Sequence, residues 1–394
     1  MARVRRGLAL ALCALAVVPA TAAAGRSVPQ GFVGMVVEGP TLEPKRANLA
    51  HEMDLMVRSG VESIRVVFPW GDEQPYPNLQ SVPQSKRQRY RDVNGVPTDF
   101  DYTDRIVGLA AQRHIAILPV IWRAPRWGAA QPGNMGSPPK NPDVYAQYVA
   151  ALVNRYGPNG SLWAERPQLA KTPIRSWQIW NEPNISTFWS IQPFATDYVA
   201  LLRTARQTIL SIDPGARVVI AGLVNQSWTA LEQFYAAGGQ GLFDVMAVHP
   251  FTFKVGGVLV ILRKIRAVMG QHGDGAKPMF VTELSWPSAL GKVKKRWLRG
   301  FEVTPAQQAS RVKSAYALLA RYRTQLNIEQ VDWYSWLRYD AFRTETFDYS
   351  GLRHISTHHF KIEDKPAAGA FKKESLKLEG CRRKGPTATD CHHR

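Results

Sequence analysis

The stretch Trp177-Gln-Ile-Trp-Asn-Glu-Pro-Asn184 reads as a short apolar strand, Trp177 to Trp180, that ends at once in an amide and a carboxylate. A helical pattern from Phe194 to Ser211 follows, closed by Asp213-Pro-Gly215, where a new apolar run begins at Arg217 and ends at Ala221. Working outward in both directions, the same alternation recurs. Toward the N-terminus, strands are expected at Phe32–Val37, Ser63–Phe68 and Ile115–Ile121, with helices at Ala47–Ser59, Tyr102–Arg113 and Val144–Tyr156 between them. Toward the C-terminus, strands are expected at Val245–Val248, Met279–Thr282 and Val331–Trp336. The helices there are Trp228–Ala237, Val258–Met269, Pro305–Arg323 and a final Pro366–Lys373. Apolar runs alternating with helices of 3.6-residue period describe a parallel sheet with crossover helices. Eight strands are the number that closes a barrel, so the expected fold class is α/β, a (β/α)8 TIM barrel in one domain. Three long segments, Gly71–Val96, Ala124–Pro142 and Leu284–Val303, all follow strands and would extend the C-terminal rim. The first strand is followed by no glycine-rich phosphate loop, which disfavours an open nucleotide-binding sheet.

The ends of the chain have their own character. Arg3, Arg5 and Arg6, the apolar run Gly7–Val18 and the small residues Ala20–Ala24 have the pattern of a secretory signal peptide over residues 1–24. The run is too short to span a bilayer, and no longer one follows. The expected location is therefore secreted or cell-wall associated. Removal of the leader also removes Cys13 and leaves Cys381 and Cys391, in a basic C-terminal tail at 374–394. A bridge between them suits an oxidising compartment, and two free thiols are the other reading. Such a bridge would pin a short tail and do little for the core. The barrel domain is expected at 25–373. The formal charge is +19, or +16 without the three leader arginines. It is dense at Lys292–Arg296 and from Lys372 to Arg394. A solvated basic surface accounts for this; an acidic glycan or anionic cell envelope is the partner it would favour. No nucleic-acid motif accompanies it.

Two carboxylates stand at strand ends, Glu182 after the fourth and Glu283 after the seventh, 101 residues apart. In a barrel such ends converge on one hollow, and two facing carboxyl groups are what glycosidic bond cleavage needs: one protonated, one ionised. Other strand ends carry Glu38, Arg65, Trp122, His249 and Trp336, and Asn181 precedes Glu182. Metal ligation finds little support, since His358-His359 and His392-His393 are adjacent pairs and no Cys-x-x-Cys spacing occurs; no cofactor is called for.

Asn181-Glu182-Pro183 and Thr282-Glu283, in this order and setting, resemble the acid/base and nucleophile motifs of the clan A glycoside hydrolases. The run Pro138–Tyr145 with Asn154-Arg-Tyr-Gly157, and the stretch from Gly351 to Ala367, look most like bacterial family 39-type members. The resemblance covers roughly Phe32 to Phe371. It implies a retaining O-glycosyl hydrolase of β-linked oligo- or polysaccharide. Glu182 would be the acid/base and Glu283 the nucleophile. Asn181 would donate to the sugar 2-hydroxyl and Arg65 would keep Glu283 ionised. His249 would orient a carboxylate, Trp336 and Trp122 would wall the sugar subsite, and Glu38 would bind a hydroxyl. A non-catalytic polysaccharide-binding barrel, a transglycosylase with the same site and a metal-dependent barrel hydrolase are the competing readings.

Overall fold

The computed structural model describes residues 25–294, 300–340, 345–356 and 361–393. The expected leader at 1–24, the end of the Lys292–Arg296 run and His358-His359 lie outside the described residues. Eight parallel strands form one sheet: β1 (Val33–Val37), β2 (Ser63–Pro69), β3 (Ala116–Trp122), β4 (Ser176–Ile179), β5 (Arg217–Val219), β6 (Met246–Val248), β7 (Met279–Leu284) and β8 (Ile328–Trp333). Their order in space is β5-β4-β3-β2-β1-β8-β7-β6. The remaining seam, between β5 and β6, is closed by parallel bridges Val219 to Val245 and Leu223 to Val248. The sheet therefore closes on itself as a barrel.

Helices α1 (Leu49–Arg58), α2 (Asp101–Gln112), α3 (Pro142–Tyr156), α4 (Ala195–Ile212), α5 (Ser227–Ala236), α6 (Val255–Gln271), α7 (Pro305–Leu326) and α8 (Pro366–Leu378) surround it. Their starts are written locally. Asn48 and Asn141 accept from backbone N–H groups of the first turns of α1 and α3, and Thr304 with Gln307 forms a reciprocal capping box at α7. Pro142, Pro305 and Pro366 open α3, α7 and α8, where a missing N–H costs nothing. Val, Ile and Leu of the strands pack against the apolar faces of the helices in one continuous core. Among the described residues no helix is long and apolar enough to cross a membrane.

Two expectations are corrected. The eighth strand begins and ends three residues earlier than Val331–Trp336, which moves Trp336 off the strand end. The C-terminal segment is also no loose tail. Helix α8 runs on to Leu378, past the expected boundary at 373, and a hairpin of Cys381–Lys384 with Cys391–His393 follows, cross-linked by the Cys381–Cys391 disulfide. The hairpin docks beneath the starts of β2 and β3. Lys384 Nζ is buried there, paired with Glu379 and with Glu62 at 3.2 Å, and donates to the Ala388 carbonyl at 2.7 Å. The Ala388 N–H donates to Arg113. A basic residue read as solvated surface thus neutralises two buried carboxylates. Its removal would leave Glu379 without a cation at the N-terminal face of the barrel, while Glu62 would keep Arg26.

Candidate active site

The C-terminal ends of the strands bring the polar residues together. Glu283 lies within β7, Arg65 within β2, and His249 directly after β6. Asn181 and Glu182 stand just past β4, where the backbone turns through left-handed conformations at Trp180 (φ +70°) and Glu182 (φ +39°). Such angles are costly for non-glycine residues. Aromatic packing holds the turn in place: Trp180 is fully buried, its indole N–H donates to the Phe188 carbonyl at 2.7 Å, and its ring meets Trp122, Tyr145 and Trp189 edge on. The result aims Glu182 into the barrel mouth.

Arg65 organises the floor. Its three guanidinium nitrogens donate to Glu283 Oε1 at 2.7 Å, Asn181 Oδ1 at 2.7 Å and Gln178 Oε1 at 2.9 Å. The first is a charge-assisted contact, and the fork fixes all three acceptors at once. With its oxygen engaged, Asn181 has its NH2 group left to donate. His249 Nδ1 lies 2.5 Å from Glu182 Oε1, and its Nε2 lies 3.7 Å from Glu283 Oε1. Gly222, after β5, makes room for that ring, since a Cβ there would meet His249 Nε2 at 2.0 Å. One ligand-type atom from each of Glu182, His249 and Glu283 lies within 4.8 Å of the other two. The two carboxylates therefore face each other across a gap close to the ~5–5.5 Å that accompanies retention, and short of the ~6.5–9.5 Å that accompanies inversion.

Burial sets the protonation pattern. It pushes Glu182 up to about 8, against the pull of Arg65 and with a further push from Glu38. It pushes Glu283 up as well, but there His249 and Arg65 oppose it. Only Glu283 has a guanidinium hydrogen-bonded to it, so Glu283 is the carboxylate that ionises first. Burial drives His249 down to about 3, so its imidazole is neutral near pH 7. A self-consistent arrangement follows. The Nε2–H tautomer turns its proton toward the ionised Glu283, which leaves Nδ1 to accept the proton of a neutral Glu182. The same three residues are a donor set that could hold a divalent cation. Arg65 already supplies a positive charge to Glu283 at 2.7 Å, and a second cation there would be repelled.

Replacement of Arg65 by Met is expected to raise the pH at which Glu283 ionises, moving the acid limb of the pH–rate profile upward. Breaking this buried pair should also lower stability by roughly 3–5 kcal/mol. A pH profile and a urea titration would read the two effects. An acid limb that stays in place would show that Arg65 does not set the charge of Glu283.

Other expected site residues fare differently. Trp122 ends β3 and lines the hollow beside Glu38, Arg65 and Asn181. Glu38 also lines it, and it pairs with Arg338. Trp336 does not reach it: its indole N–H donates to Glu52 on α1 at 2.7 Å, and the Arg353 guanidinium lies over its ring. The chain after β8 turns outward into a short strand, Leu337–Arg338, which pairs with Arg353–Ile355 and carries Trp336 behind β1. Tyr334 takes the place expected of Trp336. Three further tryptophans near strand ends, Trp180, Trp189 and Trp286, are fully buried core residues. Phenylalanines missed in the sequence line the mouth instead. Phe188, Phe251, Phe301 and Phe347 sit in loops after β4, β6, β7 and β8, where no periodicity marks them. Only the position of Phe251, two residues past His249, offered a signal.

The sequence matches no family model and no curated protein. Solved structures do match. A family 39 glycoside hydrolase from Bacteroides cellulosilyticus WH2 superposes with a TM-score of 0.62 at 17% identity, over 90% of this chain and 65% of the other. The chain shares that barrel fold. A glucosidase from Croceicoccus marinus gives 0.60 at 14% identity, over 90% and 69%, and a monomeric β-xylosidase from Caulobacter crescentus CB15 gives 0.56 at 15%, over 88% and 68%. This (β/α)8 chain spans about two thirds of the length of each.

Proposed function

We propose that the protein is an exported retaining glycoside hydrolase acting on a β-linked glycoside. The observation that carries this is the pairing of two buried carboxylates within 4.8 Å at the barrel mouth, only one of them held by a guanidinium. Glu283, kept ionised by Arg65, attacks the anomeric carbon as the glycosidic bond breaks. Glu182, neutral at pH 7, gives its proton to the leaving oxygen. In the second step Glu182 takes a proton from water, which displaces Glu283 from the sugar. The Asn181 NH2 group suits a 2-hydroxyl, a contact that tightens in the transition state. The fold shared with glycosidases supports the reading, and so does the resemblance at Asn181-Glu182-Pro183. The leader-like residues 1–24 and the Cys381–Cys391 disulfide fit a place outside the cytoplasm.

The test is a panel of 4-nitrophenyl β-glycosides of glucose, xylose, galactose and mannose, followed by proton NMR with and without a chelator. The first-formed sugar should be the β-anomer, and chelation should change nothing. Initial release of the α-anomer, or loss of activity on chelation, would refute the mechanism.

A further inference from the structure

We propose that the bond cleaved here joins the sugar to a hydrophobic aglycone, an aryl or medium-length alkyl group, and not to a second sugar. This rests on the glycosidase reading above and names the substrate class of that site. Two hollows meet at the carboxylates, sharing Glu182, Glu283, Phe188 and Tyr334. They differ in size and chemistry. The one over β1–β4 is confined, about 90 Å³, and carries Glu38, Arg65 and Asn181. That is the side with hydrogen-bonding groups for sugar hydroxyls. The one over the loops after β4–β8 is about 540 Å³ and is built from Ile185, Val224, Phe251, Phe301 and Phe347. Glu182 borders both, and a leaving group must sit against the acid that protonates it. With the sugar hydroxyls held on the polar side by Glu38, Arg65 and Asn181, the larger chamber receives what departs.

The chamber wall is poorly suited to a sugar. Apart from the two carboxylates, the polar side chains lining it among the described residues are Asn225, Thr252 and Tyr334. The Tyr334 hydroxyl lies near the charge of Glu38. A second pyranose brings several hydroxyls, and each that loses water without a partner weakens binding. The rings also pack against one another: Phe251 with Phe347 at 5.2 Å, Phe347 with Tyr334 at 5.8 Å and Phe251 with Phe301 at 5.9 Å, at angles of 66°, 85° and 90°. Such a wall accepts a further aromatic ring or alkyl chain in the same edge-to-face manner. Among the described residues it offers no broad indole face on which a pyranose would stack. Phe253, 54% exposed, extends the apolar surface to the rim.

The experiment measures binding separately from reactivity. The full chain carrying Glu283→Gln, which cannot open the bond, is titrated calorimetrically. The ligands are methyl, 4-nitrophenyl and octyl β-glycosides (octyl below its micelle concentration) and β-1,4 disaccharides, in glucose and xylose series. The aryl or octyl glycoside should bind at least tenfold more tightly than the methyl glycoside and disaccharide of the same sugar. Added Phe251→Asn or Phe347→Asn should cut that preference below threefold. Equal or tighter binding of the disaccharide, no preference in either series, or a preference that survives both folded variants would overturn the proposal. Should a variant not fold, the comparison among ligands still decides. Hydrolysis by the unmutated chain, measured in parallel, keeps the two readings apart. Turnover of disaccharides without an aryl or alkyl preference sinks only this inference. A clear preference without turnover of any glycoside sinks the glycosidase, and with it the cleavage, and leaves the chamber as a binding site for the aglycone.

Discussion

The Glu283→Ala protein is expected to lose turnover on any β-glycoside the enzyme accepts, by on the order of 10⁴-fold or more, with its fold intact. A group that forms the covalent intermediate cannot be replaced by binding or orientation, and removing such a nucleophile elsewhere costs about that much. Glu182 cannot substitute, because it is bonded to His249 and has no guanidinium to hold it ionised. The deletion leaves a space beside Arg65 that a small anion can occupy. Azide supplied in excess should therefore restore part of the reaction and yield a glycosyl azide of inverted, α configuration. Mass spectrometry and NMR of the product would read this. Residual activity within tenfold of the parent, or a β-azide as the rescue product, would remove Glu283 from the role of nucleophile.

The second large effect is at Glu182. For substrates with poor leaving groups, such as alkyl glycosides, Glu182→Gln should lower kcat/KM by about 10²–10⁴-fold, the usual worth of a positioned general acid. With 4-nitrophenol as leaving group the first step needs little protonation and should be nearly spared. The covalent intermediate would then accumulate, because no base remains to activate water. A burst of nitrophenol followed by slow turnover is the expected trace. The pH dependence has a definite sign. Burial raises Glu182 to about 8, so the acid is in place below that pH and is lost as pH rises through it. The alkaline limb of kcat/KM for alkyl glycosides should fall near pH 8 in the parent and be absent from the residual activity of Glu182→Gln. An alkaline limb unchanged in Glu182→Gln would assign it to some other group.

His249 shows how sequence and structure divide the work. Its position after the sixth strand was legible, and so was a role beside a carboxylate. That it touches Glu182 at 2.5 Å while its other nitrogen faces Glu283 was not. The bridge depends on Gly222, a residue of a different strand end, leaving the ring its space. Trp336 shows the opposite case. A tryptophan in an apolar run near the last strand was a sound candidate for the sugar wall, but a three-residue shift in the strand end turned it toward Glu52. The phenylalanine chamber went unread because its members come from four loops with no repeating pattern.

By itself the sequence determined the barrel, the order of its strands and the two carboxylates at their ends. Those follow from local periodicity: a strand or helix buries one face whatever surrounds it, and parallel connection places every strand end on the same rim. Only the tertiary structure decided which aromatic rings reach the cavity, where Lys384 goes and how His249 bridges the two carboxylates. Each of these depends on distances between residues from separate strands and loops, and on the loss of water around charges that closing the barrel imposes. Neither quantity exists until the chain is folded.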